Sequence, residues 1–155
     1  MKLMLIQWLL QGIPECLAIA TLSWILLERQ FAAKKILSIG LLQALVAYLV
    51  RIFSVPFGIH TLIFIFSLAA LLAYFSANFY YSRVLFVSLI TFVVLGLFEL
   101  IVLTAASGFL DIPVEAIFAD PLLSVLTGLP QVAFLFLSAF LIARLKKRRK
   151  GIFKN

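Results

Sequence analysis

The sequence has little charge and few reactive side chains. Only 12% of its 155 residues are charged, against about 25% in a typical soluble domain. It has one cysteine, Cys16, which excludes an internal disulfide framework and a multi-cysteine metal site. The sequence also lacks a serine-nucleophile elbow, a phosphate-binding glycine loop and a histidine–carboxylate metal motif. We therefore expect neither a cofactor nor an enzymatic activity.

Apolar residues make up most of what is present. They account for 65% of the sequence, where soluble domains have roughly 45–50%, and the mean hydropathy is +1.22. Such a chain needs the lipid bilayer as its solvent. Backbone polar groups in hydrocarbon must pair within the chain, which leaves helices or closed barrels. Because the apolar runs are long and do not alternate as barrel strands do, the sequence predicts an all-α, polytopic transmembrane bundle.

Five apolar stretches are long enough, or nearly so, for a bilayer core that needs about 20 residues. Between the last two, residues 107–121 hold three acidic and no basic residues, which predicts a short amphipathic piece on the membrane face. The first stretch is too long for a signal peptide, so we expect no cleavable leader. We predict one transmembrane domain, residues 1–145, and a basic cytoplasmic tail, residues 146–155. The predicted spans are residues 3–27, 36–53, 59–77, 84–104 and 122–145.

The positions of the basic residues predict the orientation. With the N-terminus outside and the C-terminus inside, eleven of the 13 Lys and Arg residues are cytoplasmic, and only Lys2 and Arg51 are outside. Seven of them lie in the last 12 positions, directly after a span. The net charge of +7 therefore indicates an anchor beside anionic lipid rather than nucleic-acid binding. The alternative is a docking surface for a soluble partner.

Polar side chains within the apolar spans are the candidate functional residues, because each charged one costs at least about 2.5–3.5 kcal/mol to insert. Glu15 lies near the middle of the first span, and with Gln7 and Gln11 it forms a polar stripe at a spacing of four residues. Pro14 has no N–H group, so we expect a kink or an opened turn beside Glu15. Glu15 is either a structural group at this kink or a site for a ligand, an ion or a proton.

Arg51, Glu99 and His60 are predicted to lie at one outer level of the membrane. Arg51 and Glu99 are at the same distance from the cytoplasmic starts of their spans, which predicts either a structural ion pair or a water-lined pocket. His60 is either an interfacial residue with satisfied hydrogen bonds or a functional residue, namely a ligand contact or a pH sensor. Cys16 is expected near mid-membrane, too far from His60 for a thiol–imidazole dyad. The hypothetical ligand-binding or coupling residues are Gln11, Glu15, Arg51, His60 and Glu99.

Several short motifs together resemble a known family. They are Gln11-Gly12-Ile13-Pro14-Glu15, Arg51, Pro56-Phe57-Gly58-Ile59-His60-Thr61, Glu99, Asp120-Pro121-Leu122 and Gly128-Leu129-Pro130. Over nearly the whole chain this pattern is similar to the N-terminal multi-span sensor region of Gram-positive sensor histidine kinases of the sporulation and peptide-quorum-sensing type. The resemblance implies that one signal-receiving or coupling core contains Glu15, Arg51, His60 and Glu99. Because no phosphoacceptor helix or ATP-binding domain follows the last span, we expect a free-standing sensor module.

Two functions remain open from the sequence. A non-enzymatic sensor or regulatory module would receive a signal near the outer charged residues and pass a helix rearrangement inward. Its partner would be another membrane protein or a cytoplasmic signalling protein. A small accessory or substrate-binding subunit of a membrane transport complex would instead use Glu15 and the kink at Pro14 to line a path for a substrate or an ion.

Overall fold

A computed structural model describes residues 8–28, 31–53, 57–76, 80–111 and 113–152. Within these ranges every regular element is helical and there is no β-strand, so the all-α prediction is confirmed. A π-helical turn opens the first helix, and six α-helices are numbered here in chain order. The elements are the turn Trp8–Gly12, α1 (Ile13–Glu28), α2 (Ala33–Ile52), α3 (Phe57–Phe75), α4 (Tyr81–Leu110), α5 (Val114–Ala119) and α6 (Pro121–Ile152).

The long helices follow the predicted spans. Four segments are long and apolar enough to cross a membrane, and the apolar part of α3, Ile59–Phe75, is shorter. The short helix α5 lies where the amphipathic piece is predicted, although α4 continues into that segment as far as Leu110. Helix α6 likewise continues through the first part of the predicted tail to Ile152. The four long segments are Trp8–Leu27, Ala33–Ile52, Tyr81–Phe109 and Leu122–Lys147.

Two acidic residues mark the helix boundaries around α5. Asp111 ends α4 in the left-handed backbone conformation, with φ of 53°, which Asp tolerates better than most residues. The carboxylate of Asp120 accepts a hydrogen bond from the backbone N–H of Leu122 at 2.8 Å, as a capping residue does at the start of a helix. Local backbone requirements therefore account for both carboxylates.

Helix α1 forms the centre of the bundle. It packs against α2, α3, α4 and α6, and 56% of its apolar segment is buried, compared with 28–39% in the other three long segments. Ala18 and Ala20 are fully buried, and small residues of this kind allow membrane helices to pack closely. Polar groups at mid-helix also join the elements, since Ser23 on α1 donates a hydrogen bond to Thr91 Oγ1 on α4 at 2.9 Å.

Helices α1 and α2 make a close backbone approach at Gly40. A Cβ atom added there would lie 3.0 Å from the Cα of Leu17, which is tighter than side-chain contacts normally allow. Farther along α2, the amide of Gln43 donates to the carbonyl of Phe64 on α3 at 3.2 Å, and Ser67 donates to the Gln43 oxygen at 3.1 Å. A glycine and an amide that is hydrogen-bonded to α3 thus fix α2 between its neighbours.

Basic side chains bind the carboxyl-terminal end of α1. Arg83, at the start of α4, donates from Nη2 to the carbonyl of Leu27 at 2.7 Å. Lys146, on α6, donates from Nζ to the carbonyls of Ile25 at 2.7 Å and Leu26 at 3.0 Å. The last four carbonyls of a helix have no partner within it, and the helix dipole favours positive charge there. These two residues therefore stabilise the end of the central helix.

A third basic residue closes the end of α3. Lys35, in the first turn of α2, donates from Nζ to the carbonyl of Phe75 at 2.9 Å and lies 5.1 Å from the ring centre of Trp24, close enough for a cation–π contact. We call Lys35, Arg83 and Lys146 the basic end. These residues, predicted only as charges that set orientation, also have specific hydrogen-bond acceptors.

Candidate functional site

A polar cavity of about 450 Å³ lies within the bundle. Its walls come from the beginnings of α1, α3 and α6 and from the later parts of α2 and α4, so it lies away from the basic end. The candidate residues from the sequence are brought together at this cavity, although they belong to four separate helical segments. All five line it: Gln11, Glu15, Arg51, His60 and Glu99.

An opened helical turn forms one wall of the cavity. The segment Trp8–Gly12 is π-helical, and Pro14 follows it. Proline offers no N–H to the carbonyl four residues earlier, whereas a π-helical pattern pairs carbonyls with the N–H five residues later. The indole of Trp8 donates to the carbonyl of Ala44 at 3.0 Å, and its ring lies 5.0 Å from that of Tyr48. The irregular turn is therefore fixed to α2.

Gln11 faces α6 from this opened turn. The backbone of Gly128 approaches it so closely that a Cβ there would overlap the Gln11 amide. Within the described residues, Gln11 Oε1 is a buried oxygen atom that has no hydrogen-bond partner. Gln7, which the predicted polar stripe also includes, lies outside the described residues. An acceptor in this position indicates that a water molecule, an ion or a ligand group belongs beside it.

The three charged residues of the cavity are not tied to one another. Arg51 and Glu99 are exposed and Glu15 is partly buried. Within the described part of the chain, none of the three is in a salt bridge with an N–O distance of 4.0 Å or less, which favours the water-lined pocket over the ion pair. The depth prediction separates Glu15 from the other two, but all three share one cavity.

His60 begins an aromatic wall of the cavity. Its ring meets the edge of Phe64 at a centroid distance of 4.3 Å, and Phe64 stacks on Phe92 of α4 at 6.3 Å. Cys16 is buried and lines the same cavity, although the sequence predicts a different depth for it. No hydrogen bond joins Cys16 to His60 in the part of the chain that the structure describes.

The neutral polar residues of the cavity wall were not predicted from the sequence as candidate functional residues. Gln43 and Gln131 are buried, at 1% and 6% exposure, in the middle of apolar helices. An uncharged amide in such a position is itself a signal, because its polar atoms require partners inside the bundle. In the described ranges, no three His, Cys, Asp or Glu residues cluster as a metal site. The missed polar lining residues are Gln43, Thr61, Ser124 and Gln131.

No family model, no curated protein and no solved structure matches this chain. The cavity and its polar lining are therefore the basis on which a function can be inferred.

Proposed function

We propose that this chain is a non-enzymatic membrane sensor module, in which a ligand enters the polar cavity and the helices transmit its presence to the basic end. The cavity is the observation that carries this proposal. Its volume of about 450 Å³ falls within the range of roughly 300–1,000 Å³ that is typical of small-molecule sites. Aromatic walls combined with a few convergent polar groups are also typical of such sites.

The charged lining residues indicate the kind of ligand. Charges within a membrane span are costly and usually mark a functional site. The guanidinium of Arg51 can bind an anionic group of a ligand, whereas the carboxylates of Glu15 and Glu99 can bind a cationic group. A small ligand that carries both kinds of charge would satisfy all three residues, and the aromatic wall at Phe64 would bind its apolar part.

Helix α1 is the proposed path of transmission. It carries Glu15 at the cavity, and its last carbonyls accept hydrogen bonds from Arg83 of α4 and Lys146 of α6. A shift or rotation of this helix would change those bonds and so move the ends of α4 and α6. The positive-inside distribution of charge supports a cell membrane orientation with the cavity outside and the basic end in the cytoplasm. The basic end would then face another membrane protein or a cytoplasmic signalling partner.

The chain has two tryptophans, and their fluorescence can test this proposal separately at each end of the bundle. Trp8 lines the cavity, whereas Trp24 contacts Lys35 at the basic end. Purified Trp24→Phe and Trp8→Phe variants in lipid nanodiscs would be titrated with the small-molecule fraction of conditioned culture medium, while tryptophan fluorescence is recorded. A sensor predicts a saturable change at Trp8 and a change at Trp24 with the same concentration dependence. Adding Glu15→Gln to each variant should weaken both changes.

The opened turn favours a second candidate, an accessory or substrate-binding subunit of a membrane transport complex. Irregular helical backbone beside a cavity is a common feature of transporter binding sites, and Trp8–Gly12 is such a segment. This function predicts a response at Trp8 with none at Trp24, because binding need not alter the basic end. The absence of any response at Trp8 would contradict both candidates.

A further inference from the structure

A second and much smaller cavity adjoins the polar cavity. Its volume is about 20 Å³, enough for one water molecule or one small ion. Thr127 lines only this small cavity, on helix α6. The two cavities share part of their walls, which residues from three helical segments form. The shared residues are Gln11, Glu99, Ser124 and Gln131.

Three of the lining residues carry an oxygen atom that can only accept a hydrogen bond. Gln11 Oε1 is buried and has no partner among the described residues. The hydroxyl of Thr127 already donates its hydrogen to the carbonyls of Leu123 at 2.9 Å and Ser124 at 3.1 Å, so it can only accept. The carboxylate of Glu99 is an acceptor as well, and it has no salt bridge within the described part of the chain.

The number of acceptors decides between a water molecule and a cation. A water molecule has two hydrogens, so it cannot donate to all three oxygens at once, whereas a cation is attracted to every one of them. Divalent Ca²⁺ takes six to eight oxygen ligands and Mg²⁺ keeps several waters, for which this cavity has no room. We propose that the small cavity binds one monovalent cation such as Na⁺, with Gln11 Oε1, Thr127 Oγ1 and the Glu99 carboxylate as ligands.

The absence of a side chain at Gly128 makes room for Gln11 at the proposed cation site. Because a Cβ at that position would overlap the Gln11 side chain, most closely at its amide nitrogen, only glycine leaves this side chain room beside α6. The bound cation would join the opened turn before α1 to α4 and α6, next to the polar cavity. It would also neutralise Glu99, whose charge is otherwise costly within a span. This inference does not rest on the proposed sensor function.

The test is the thermal stability of the purified full-length chain as Na⁺ replaces choline at constant ionic strength. An ion that binds only the folded state stabilises it in proportion to the logarithm of its concentration above Kd, so the Tm should rise with NaCl. Thr127→Val keeps the shape and removes one ligand. It should raise the Na⁺ concentration needed for a half-maximal effect by about tenfold, as expected for the loss of one interaction with a charged group.

Thr104→Val is the matched control. Its hydroxyl also donates to a carbonyl of its own helix, that of Leu100 at 2.7 Å, but it lies outside both cavity linings. This variant should keep the Na⁺ dependence of the parent. Equal Tm values in NaCl and choline chloride would overturn the proposal and leave the small cavity to water alone. An unchanged Na⁺ dependence in Thr127→Val would overturn it as well.

Discussion

The two ends of the bundle use their charged side chains in opposite ways. Every residue of the basic end donates to a carbonyl at the carboxyl terminus of α1 or α3. At the polar cavity, Arg51, Glu15 and Glu99 line an open volume, and in the described part of the chain none of them is in a salt bridge. Charges at one end have a structural partner that accounts for them, whereas those at the other end do not.

Whether a charged side chain has a structural partner distinguishes a structural role from a functional role more clearly than the presence of the charge does. A cation bound to helix carbonyls stabilises the fold, because the carbonyls would otherwise lack partners. A charge inside a membrane span without a partner lowers stability, so its presence calls for another explanation. Comparing the two ends therefore leads to two expectations: substitutions at the basic end affect stability, and substitutions at the cavity affect binding.

The largest expected effect concerns which side of the membrane each end faces. In a Cys16→Ser background, Glu115→Cys should react with a membrane-impermeant maleimide on intact cells, because it belongs to the segment after α4 at the cavity side. Phe31→Cys, an exposed position before α2, should react only after the cells are opened. The expected labelling is all-or-none. Labelling of Phe31→Cys on intact cells would show that the basic end faces outward.

The next largest effect is loss of stability at the basic end. Lys146→Met removes a partly buried ammonium from two carbonyls and should lower the free energy of unfolding by about 2 kcal/mol, a typical value for hydrogen bonds to a charged group. Arg83→Met should cost about 1 kcal/mol, because Arg83 is exposed and solvent weakens its bond. Thermal unfolding in detergent measures both.

Lys147→Met provides the matched control for these two variants. Lys147 is the exposed neighbour of Lys146 on the same helix, so its removal changes the net charge equally and should leave the Tm nearly unchanged. If all three variants lower the Tm alike, net charge rather than the carbonyl contacts determines the stability of the basic end.

The sequence predicted the helices better than it predicted their contacts. Apolar length identifies a span because the cost of exposing backbone to hydrocarbon does not depend on which neighbours a helix has. The rule that places basic residues inside the cell counts charges and says nothing of acceptors, so it could not reveal that Lys146 binds the end of α1. A charge count therefore predicts an orientation but no contact.

The candidate site shows the same limit. Matched distance along two helices placed Arg51 and Glu99 at one level, and both line the cavity. The same reasoning separated Glu15, because depth measured along a helix takes no account of a void that extends across several levels. The opened turn before Pro14 was expected from the missing N–H group, whereas the close approach of Gly128 to Gln11 depends on packing between distant parts of the chain.

A smaller effect is expected from glycines near the cavity. Gly128→Ala adds a methyl group that must displace the Gln11 amide, at a cost of about 1 kcal/mol for a core position that has become too crowded. Gly96→Ala is the control, since a Cβ there meets nothing within 4 Å and alanine favours a helix. The Tm should fall for Gly128→Ala and stay level or rise for Gly96→Ala. A fall in both would indicate that the cavity wall as a whole tolerates no added volume.

The smallest effects on stability are expected from the cavity charges themselves. Glu15→Gln should leave the Tm almost unchanged while it weakens ligand binding. In double-mutant cycles, Arg51→Met should couple with Glu15→Gln by about 0.5 kcal/mol, the scale of a solvent-accessible charge pair, because the two opposite charges line one cavity and Glu15 is partly buried. Its coupling with Glu99→Leu should be weaker, because Arg51 and Glu99 are both exposed and solvent screens exposed charges. Stronger coupling of Arg51 with Glu99 would instead reveal a structural ion pair, which is one of the two alternatives that their matched depth predicts, and charges at both ends of the bundle would then have structural partners.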